Sequence, residues 1–476
     1  MMSPPSSSPT PNPIDRLMNS QFTRLLVIGF LVLILQIPTV MLFGIISERQ
    51  NLRQTAIQDV TSKWGKEQTL VGPRLMVPYI KRSGTAEKPK SEQKIATFLP
   101  KDLEINGNME TDTRKRGLFQ VPVYTLKLEM KGNFEPLDFT TWAVRQEDIL
   151  WDRSELVVQI SDTRAISDQV NLQWNKTKIP FNPGLGKFKV GNPNVAINSS
   201  PPRTSGSWDS PLSASTSSTA GIHARLSQMG EKKSYDFSIP MEIRGSESLY
   251  FVPMGELTKV NLKANWGNPS FQGGWLPEKP KISEKEFEAK WQIPFLGRNF
   301  PQQWNDDSPT SDNDLYQSRF GVNLFSPVDN YHMAERSIKY NFLFVVLTFA
   351  VLWLFEVMAG VRIHPLQYLL VGVAMCLFYL LQLALSEHLG FYYAYVVASL
   401  SIVFLITGYT MSALGAKRRG GIVGVMQVCL YSYLYVVLAS QDYSLLLGSV
   451  GLFIFLAAVM FLTRRVDWFN SGRTAS

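Results

Sequence analysis

The sequence has little of the chemistry on which most enzymes and disulfide-stabilised domains depend. Two of its 476 residues are cysteine, Cys376 and Cys429, and both lie in long apolar stretches. A disulfide is therefore not available to the polar region between residues 47 and 339. Of four histidines, only His223 and His332 fall in that region, and no pair has metal-site spacing such as HExxH. These absences argue against a zinc hydrolase and leave a hydrophobic core as the source of stability.

Motifs of nucleophilic and phosphate chemistry are also missing. The sequence contains no GxSxG nucleophile elbow, no P-loop and no GxGxxG fingerprint. Residues 91–94 match SxxK and residues 311–313 read SDN, as in penicillin-recognising enzymes, but no KTG follows. The SxxK match also lies in a charged segment rather than at the start of an apolar helix. We predict a non-enzymatic protein with no metal and no cofactor.

Long apolar runs, by contrast, are plentiful. A helix needs about 20 largely apolar residues to cross a hydrocarbon core of about 30 Å. Six stretches qualify: Leu25 to Ile46, Asn341 to Met358, Leu366 to Leu385, Phe391 to Leu414, Ile422 to Leu438, and Tyr443 to Thr463. The first exceeds the apolar region of a signal peptide, and no small-residue cleavage site follows it. We read it as a retained anchor and the whole chain as a multi-pass membrane protein.

The basic residues of the short loops predict the orientation, because Lys and Arg are enriched on the cytoplasmic side. The two short loops on the other side would contain only Glu387 and Asp442 as charged residues. Both termini are then cytoplasmic and residues 48–339 periplasmic. The net charge of +8 needs no nucleic acid, because basic flanks favour this topology and anionic headgroups. The cytoplasmic basic residues would be Arg16, Arg24, Arg362, Lys417, Arg418, Arg419, Arg464, Arg465 and Arg473.

The central region has the pattern of β-strands. Its short β-rich runs are bounded by Gly, Pro, Asn and Asp, which is typical of packed antiparallel sheets. The runs are LMVPYI, KIATFL, VPVYTLKLEMKG, ELVVQISD, KKSYDFSIPMEIRG, ESLYFVPMG, LTKVNLKANW and EFEAKWQIPF. Before them, helical spacing continues beyond the anchor to Val60, and the strands begin near Gln68. We predict a mainly-β, sandwich-like domain inserted between the first and second helices of a six-helix membrane bundle.

Composition sets the predicted domain boundaries. Residues 1–20 form a disordered tail rich in Ser and Pro near its start, and the Ser-rich stretch 198–221 is a surface loop. The first membrane helix is predicted at residues 21–47 and the periplasmic domain at residues 48–339. The five-helix membrane domain follows at residues 340–467, and a second tail at residues 468–476. Nine of eleven tryptophans fall in the central domain. Core packing explains them, although a carbohydrate-binding aromatic platform stays open.

Ionisable groups in the apolar stretches are candidate functional residues, because burying charge in a bilayer is costly. Glu356 lies near one end of the second span, where it can reach headgroups or pair with Arg362. Glu387 and His388 lie at the outer, periplasmic end of the third span. A proton or ion pathway would need further charged groups at mid-membrane, where the polar residues are neutral and can form interhelical hydrogen bonds: Gln36, Gln382, Thr407 and Gln427.

Several long segments resemble one known family. They are KEQTLVGPRLMVPY, YFVPMGELTKVNLKANWGNPSFQGGWLP, FEAKWQIPFLGRNFPQQW, FGVNLFSPVDNYHMAERSIKY and RIHPLQYLLVGVAMCLFYLLQLALSEHLGFYYAY. Together with the final helices, they are similar to the bacterial inner-membrane protein CreD family, from about residue 20 to 468. The resemblance implies a cell-envelope-integrity protein, associated with a two-component system, for which no reaction is established. The Ser/Pro-rich start and the Ser-rich stretch 198–221 depart from the family pattern.

Three functional hypotheses follow. The first is a non-enzymatic protein that maintains envelope integrity, whose β domain binds a protein, lipid or wall component. The second is a transporter or lipid-handling protein that uses the bundle, and the third, a membrane hydrolase, has the least support. The sequence indicates contact with the lipid bilayer, but it identifies neither the protein, lipid or wall partner nor the oligomeric state. The candidate site residues lie at the membrane boundaries: Tyr331, Arg336, Tyr340, Glu356, Arg362, His364, Glu387 and His388.

Overall fold

A computed structural model describes residues 21–85, 88–186, 220–227, 229–230, 233–324, 330–359, 363–413, 415, 417–440 and 443–464. The two predicted tails and most of the Ser-rich loop lie outside the described residues. The chain forms two compact units, a helical unit of Met1–Gln54 with Val328–Ser476 and a β domain of Thr55–Pro327. The mainly-β domain between membrane helices is thus confirmed as the fold class.

Nine α-helices occur among the described residues. They are α1 (Gln21–Ile34), α2 (Gln36–Trp64), α3 (Asp312–Gln317), α4 (Asn330–Lys339), α5 (Asn341–Ala359), α6 (Pro365–Leu389), α7 (Phe391–Ala413), α8 (Lys417–Ala439) and α9 (Ser444–Thr463). Only α3 lies wholly in the β domain, while α2 contributes residues to both units. Helix α4 falls in the helical unit.

Local sequence explains where several helices begin and end. Pro38 lacks an N–H and its ring clashes with the carbonyl four residues earlier, and α1 ends at that residue, Ile34. Helix α6 begins with a proline at its first position, preceded by His364 as a capping residue. Gly390 follows α6 at a positive φ of 79°, which favours glycine. It leaves a tight connection to α7.

The helices match the predicted apolar spans. Five are long and apolar enough to cross a membrane, and a sixth counts if α4 and α5, bent by 42° at Tyr340, form one span; this count covers the described part of the chain. Helix α9 is apolar and outward-facing, with Leu445 87% exposed and Phe453 73% exposed. Such surface is expected to face lipid.

The first sheet of the β domain has nine strands. In chain order they are β1 (Gln68–Thr85), β2 (Lys88–Phe98), β5 (Ser154–Ile160), β8 (Asn182–Pro183), β9 (Gly221–Leu226), β11 (Ser248–Phe251), β13 (Pro269–Gly273), β16 (Gln303–Asn305) and β17 (Phe320–Leu324). The main order is β13-β17-β11-β1-β5-β9-β8, and β2 pairs with both β1 and β16. Strand β9 begins at the last residue of the predicted Ser-rich loop.

The second sheet has eight strands. They are β3 (Asp102–Arg116), β4 (Phe119–Phe134), β6 (Asn171–Trp174), β7 (Thr177–Pro180), β10 (Tyr235–Ser246), β12 (Leu257–Ala264), β14 (Lys281–Ile282) and β15 (Phe287–Pro294). Their order is β14-β15-β12-β3-β4-β10-β6-β7. Every one of the eight sequence runs assigned to strands contributes to a strand in one of the two sheets.

The two sheets enclose one hydrophobic core. Burial alternates along β12 and β15, as expected when one face of a strand packs and the other is solvated. Two strand pairs, β1 with β11 and β3 with β12, are parallel, unlike the antiparallel pairing expected throughout. Strand β10 lies in the second sheet, β11 in the first and β12 again in the second. The parallel strands β11 and β12 are therefore joined to the preceding strands by crossover connections rather than by hairpins.

The described tryptophans of this domain support the core-packing interpretation. Trp174 and Trp291 are 5% and 2% exposed and belong to the core. Five others are partly buried against it: Trp142, Trp151, Trp266, Trp275 and Trp304. The ring of Trp64 instead lies under two guanidinium groups, those of Arg114 and Arg244, at 4.6 and 4.9 Å. Trp208 lies outside the described residues.

Candidate functional site

The helical unit holds Glu356 in a cluster of three polar side chains. Glu356 lies on α5 and is 5% exposed. Arg24 of α1 forms an ion pair with its Oε1, and the hydroxyl of Tyr368 of α6 donates a hydrogen bond to its Oε2 over 3.2 Å. The Glu356 cluster, formed by Arg24, Glu356 and Tyr368, therefore joins three helices around one buried carboxylate.

Glu387 lies in a second cluster of the same composition. The hydroxyl of Tyr331 of α4 donates to Glu387 Oε1 over 2.9 Å, and Nε of Arg49 of α2 lies 3.7 Å from the same oxygen. Arg49, Tyr331 and Glu387 form the Glu387 cluster. Tyr368 and Glu387 lie 19 residues apart on α6, which is about 28 Å along a helix. The two clusters thus mark opposite ends of a segment about as long as a hydrocarbon core is thick.

Three neutral contacts lie between the clusters, each joining α4 or α5 to another helix. Ser337 Oγ donates to Gln382 Oε1 over 3.2 Å. Asn341 Nδ2 donates to Thr39 Oγ1 over 2.7 Å and lies 3.8 Å from Cys376 Sγ. The third contact, at 3.2 Å, runs from an α8 amide to an α5 hydroxyl, Gln427 Nε2 to Thr348 Oγ1. We call these three contacts together with the two clusters the polar ladder.

The polar ladder is a set of separate contacts rather than a continuous path. Along α5, Asn341, Thr348 and Glu356 follow at intervals of seven and eight residues, or about 10 and 12 Å. Buried apolar side chains, such as Val345 and Leu352, occupy the intervals. Polar contacts between membrane helices each contribute about 0.6–2 kcal/mol, and they fix which faces meet. The ladder can therefore set the register of α1, α2, α6 and α8 against α4 and α5.

Three amide atoms of the ladder remain unpaired among the described residues. They are Asn341 Oδ1, Gln382 Nε2 and Gln427 Oε1, and the exposure of their residues is 1% or less. Buried polar groups are normally satisfied by protein or by water. These atoms are therefore hydrogen-bonding groups that the contacts among the described residues leave unused.

The structure divides the predicted site residues between the two ends of the bundle. Tyr331 and Glu387 come together, and Glu356 pairs with Arg24. Arg362, the partner considered for Glu356 from the sequence, lies outside the described residues. His364 is a structural cap, since its Nδ1 accepts from Leu366 N over 3.2 Å. The others do not join a cluster through the described contacts: Arg336 is half-buried on α4, Tyr340 lies at the α4–α5 bend, and His388 is exposed.

Sequence reasoning missed the partners of both carboxylates. Arg24 was considered only as a cytoplasmic flank of the first span, and neither Arg49 nor Tyr368 was singled out. A signal existed, because two acidic residues in a bundle require cations, and the first span has an arginine near each end. The sequence could not show which carboxylate each arginine contacts. That pairing depends on how the first span packs against helices that lie about 300 residues later in the chain.

The β domain holds a second buried polar cluster that the sequence did not reveal. Arg74 is 2% exposed and lies on the face of the first sheet opposite the core, where its Nη2 donates to Gln159 Oε1 over 2.9 Å. Burial lowers the pKa of the Arg74 guanidinium and raises the pKa of the nearby Asp312 carboxyl. Arg74 Nε and Glu155 Oε2 are unpaired among the described atoms. No group of three His, Cys, Asp or Glu that could hold a metal occurs in the described residues.

The Tyr331 hydroxyl should contribute measurably to the bundle. Tyr331→Phe removes the donor to Glu387 while keeping the ring, and hydrogen bonds to charged groups contribute about 1.5–3 kcal/mol. We expect a loss of about 1.5 kcal/mol in the free energy of unfolding in detergent, followed by near-ultraviolet circular dichroism. Tyr393→Phe is the control, because Tyr393 is 66% exposed. Equal losses in the two variants would contradict the role of the Tyr331 hydrogen bond.

The fold and the polar ladder define a multi-pass membrane protein with a β-sandwich domain inserted after its first span. Comparison with known proteins gives the particular family. Residues 20–469 match the family model "Inner membrane protein CreD", and the chain belongs to that family. The inner membrane protein CreD of Escherichia coli (strain K12) is 29% identical over 442 residues, covering 92% of this chain and 91% of the relative. The expected family membership is confirmed, and with it an inner-membrane, multi-pass protein.

Proposed function

We propose that this protein supports the integrity of the cell envelope without catalysing a reaction. The helical unit serves as an anchor, and the β domain binds an envelope protein, lipid or wall component. Both termini face the cytoplasm and residues 48–339 face the periplasm. The distribution of basic residues in the short loops supports this orientation, and the family match supports the inner membrane as the location. Labelling of Leu296→Cys, at a position 82% exposed, by a membrane-impermeant maleimide in spheroplasts tests it.

The observation that carries the proposal is the pairing of both carboxylates in the bundle. Glu356 and Glu387 each contact an arginine of the first span and a tyrosine hydroxyl. A carboxylate that binds both a cation and a hydrogen-bond donor is held in one position. Such fixed contacts between helices are expected of a bundle that serves as an anchor. A carrier of protons or ions would instead need a carboxylate that exchanges its partner during each cycle.

A second candidate function is transport or lipid handling by the bundle. It is supported by the unpaired amide atoms of Asn341, Gln382 and Gln427, which lie between the two clusters. A bend within a membrane helix, such as that at Tyr340, is also common at binding sites of transporters. This function predicts that Glu356→Gln with Glu387→Gln abolishes complementation even when the protein level is unchanged.

Complementation tests the leading proposal. In a bacterium deleted for its own family member, the full chain should restore survival under a wall-active antibiotic and prevent leakage of a periplasmic enzyme. The Glu356→Gln, Glu387→Gln variant should retain most of this effect, provided that immunoblotting shows equal amounts in the membrane. A photoreactive amino acid at Leu276 or Leu296, which are 72% and 82% exposed, should capture the bound component. Turnover of an envelope substrate by the purified protein, abolished by a point mutation, would overturn the proposal.

A further inference from the structure

The sheets of the β domain have edge strands whose outer side pairs with no other strand among the described residues. They are β13, β8 and β16 in the first sheet, and β14 and β7 in the second. Edge strands can pair with another chain, and short length, lysine or proline usually prevents this. Two or three residues make up β8, β14 and β16, and β7 contains Lys178 and Pro180. Strand β13 has five residues and a single proline at its first position, so it is the least protected of these edges.

The segment that contains β13 has no charged residue. Residues 265–277, NWGNPSFQGGWLP, are all uncharged, although 18% of the chain is charged. Residues 291–297, WQIPFLG, which extend from the last part of β15, are uncharged as well. Between them, residues 278–290 contain four lysines and four glutamates, whose charges balance. A partner that matches this surface in charge is therefore neutral.

Two exposed leucines lie near the end of β13. The strand ends at Gly273, and Leu276, three residues further on, is 72% exposed. Leu296 is 82% exposed. A β-carbon added at Gly297 would lie 3.5 Å from Trp275 Nε1, so Gly297 packs against the Trp275 ring. Because Trp275 precedes Leu276 and Gly297 follows Leu296, the two leucines flank one contact and form an apolar surface beside the edge.

Strand β13 is held in place by both sheets. All five of its residues pair with β17 in the first sheet. The ring of Phe271 packs against Phe287 and Trp291 of the second sheet, with 5.8 and 5.7 Å between the ring centres. A strand that is already ordered loses little conformational freedom when another strand pairs with it, which favours binding.

The backbone of β13 selects the chemistry of the partner. In an antiparallel pair, alternate residues direct their N–H and C=O groups toward the neighbouring strand, and the residues between them direct theirs away. The free side of β13 thus offers donors and acceptors at intervals of two residues, or about 6.8 Å. An extended polypeptide has the same repeat, whereas a lipid acyl chain has no hydrogen-bonding groups and a glycan has no backbone of amides. Main-chain hydrogen bonds give affinity in such strand addition, and side-chain contacts give specificity.

We propose that β13 binds an extended, uncharged segment of an envelope protein as an additional strand of the first sheet. Apolar side chains of that segment cover Leu276 and Leu296. The inference rests on the proposed function, because it names a protein as the component that the β domain binds. Pairing with a second copy of this chain, and binding of a lipid or a glycan, are distinguished by the test.

The test begins with capture from the full chain in cells. Benzoylphenylalanine replaces Gln272, an exposed residue of β13, and mass spectrometry after illumination identifies the captured segment. Lys178 is the matched control position, because it is exposed on β7, an edge strand of the other sheet. We expect protein adduct from position 272 well above that from position 178.

The captured segment is then synthesised as a peptide, and its binding to the purified full chain is measured by fluorescence anisotropy. Two further peptides carry N-methyl groups at alternate residues, on one edge of the strand or on the other. Strand addition uses one edge alone, so one peptide should bind at least about ten-fold more weakly and the other should bind nearly as before. Leu276→Asp with Leu296→Asp should also weaken binding at least about ten-fold. Leu118→Asp is the control, because Leu118 is 48% exposed at the β3–β4 turn of the second sheet.

Several results would overturn the inference. Adduct from position 272 no greater than that from position 178 would exclude β13 as the contact. Adducts mainly with lipid, with glycan or with a second copy of this chain would assign the edge to that occupant instead. Peptides that bind alike whichever edge is methylated would exclude strand pairing.

Complementation separates failure of this inference from failure of the proposed function. If the unmodified chain restores envelope integrity and the Leu276→Asp, Leu296→Asp variant does so equally well at equal abundance, the inference alone fails. If the unmodified chain does not restore integrity, the proposed function fails. Circular dichroism of each purified variant shows that folded proteins are compared.

Discussion

Arg24→Ala is expected to destabilise the helical unit by about 3 kcal/mol, because removal of one partner leaves a buried charge uncompensated. Glu356 is 5% exposed, whereas the Arg24 side chain is 25% exposed, so water can compensate the carboxylate only in part and only from the side of Arg24. Its remaining partner, the Tyr368 hydroxyl, donates one hydrogen bond at 3.2 Å. The free energy of unfolding in detergent, obtained from a denaturant titration followed by near-ultraviolet circular dichroism, measures the loss.

A double-mutant cycle separates the pair from the general effect of removing an arginine. The variant with both Arg24→Ala and Glu356→Ala should be less destabilised than the sum of the single variants, since neither charge is then left alone. Arg418→Ala serves as a control, because Arg418 is an exposed residue near the start of α8. A loss for Arg24→Ala no greater than that for Arg418→Ala would show that the ion pair does not hold α1 in the bundle.

Gly321→Ala should destabilise the β domain by a similar amount, about 3 kcal/mol, through overpacking. A β-carbon at this position would lie 2.0 Å from Leu249 O and 2.8 Å from the Cα of Tyr250. Both are backbone atoms of the neighbouring strand β11, so no side-chain rotation can relieve the overlap. Strand β17 would have to move away, which also disturbs its pairing with β13. Denaturant unfolding followed by the fluorescence of the core tryptophans reports the effect.

Gly274→Ala is the matched control for this substitution. The added β-carbon at Gly274 meets no atom within 4 Å, although this residue is close to the same strands, with its N–H donating to Arg319 O over 3.0 Å. We expect its free energy of unfolding to change by less than about 0.5 kcal/mol. If both alanine variants unfold alike, the close packing of β17 against β11 is not what requires glycine at position 321.

Substitutions in the polar ladder can distinguish the two proposed functions of the bundle. If the bundle is an anchor, variants that weaken the ladder should lose activity in cells only in proportion to the amount of folded protein. If it transports a solute or a lipid, substitutions at Asn341, Gln382 or Gln427 should lose activity while the protein remains folded and abundant. Measuring both abundance and envelope integrity for the same variants therefore distinguishes the two functions.

Sequence reasoning identified both architectures because each has a periodic or compositional signal. A run such as Leu25 to Ile46 predicts a membrane helix wherever it occurs, since the bilayer requires length and apolarity alone. Alternation in LTKVNLKANW likewise predicts β12, because one face of a strand is buried and the other solvated. The parallel pairs were missed, since the same alternation fits a strand whichever way its neighbour runs.

By itself the sequence determined that the chain has one apolar span near its N-terminus and a group of them near its C-terminus, the place of the β domain between the first two, and membership in the family. Only the tertiary structure decided that Glu356 meets Arg24, that Glu387 meets Arg49 and Tyr331, and that Arg74 is buried beside Gln159. The length of an apolar run and the alternation of apolar and polar residues in a strand are local properties, so they can be recognised from consecutive residues of the sequence. A buried ion pair depends on which helix faces come together, and residues 332 positions apart, such as Arg24 and Glu356, meet only when the bundle is packed.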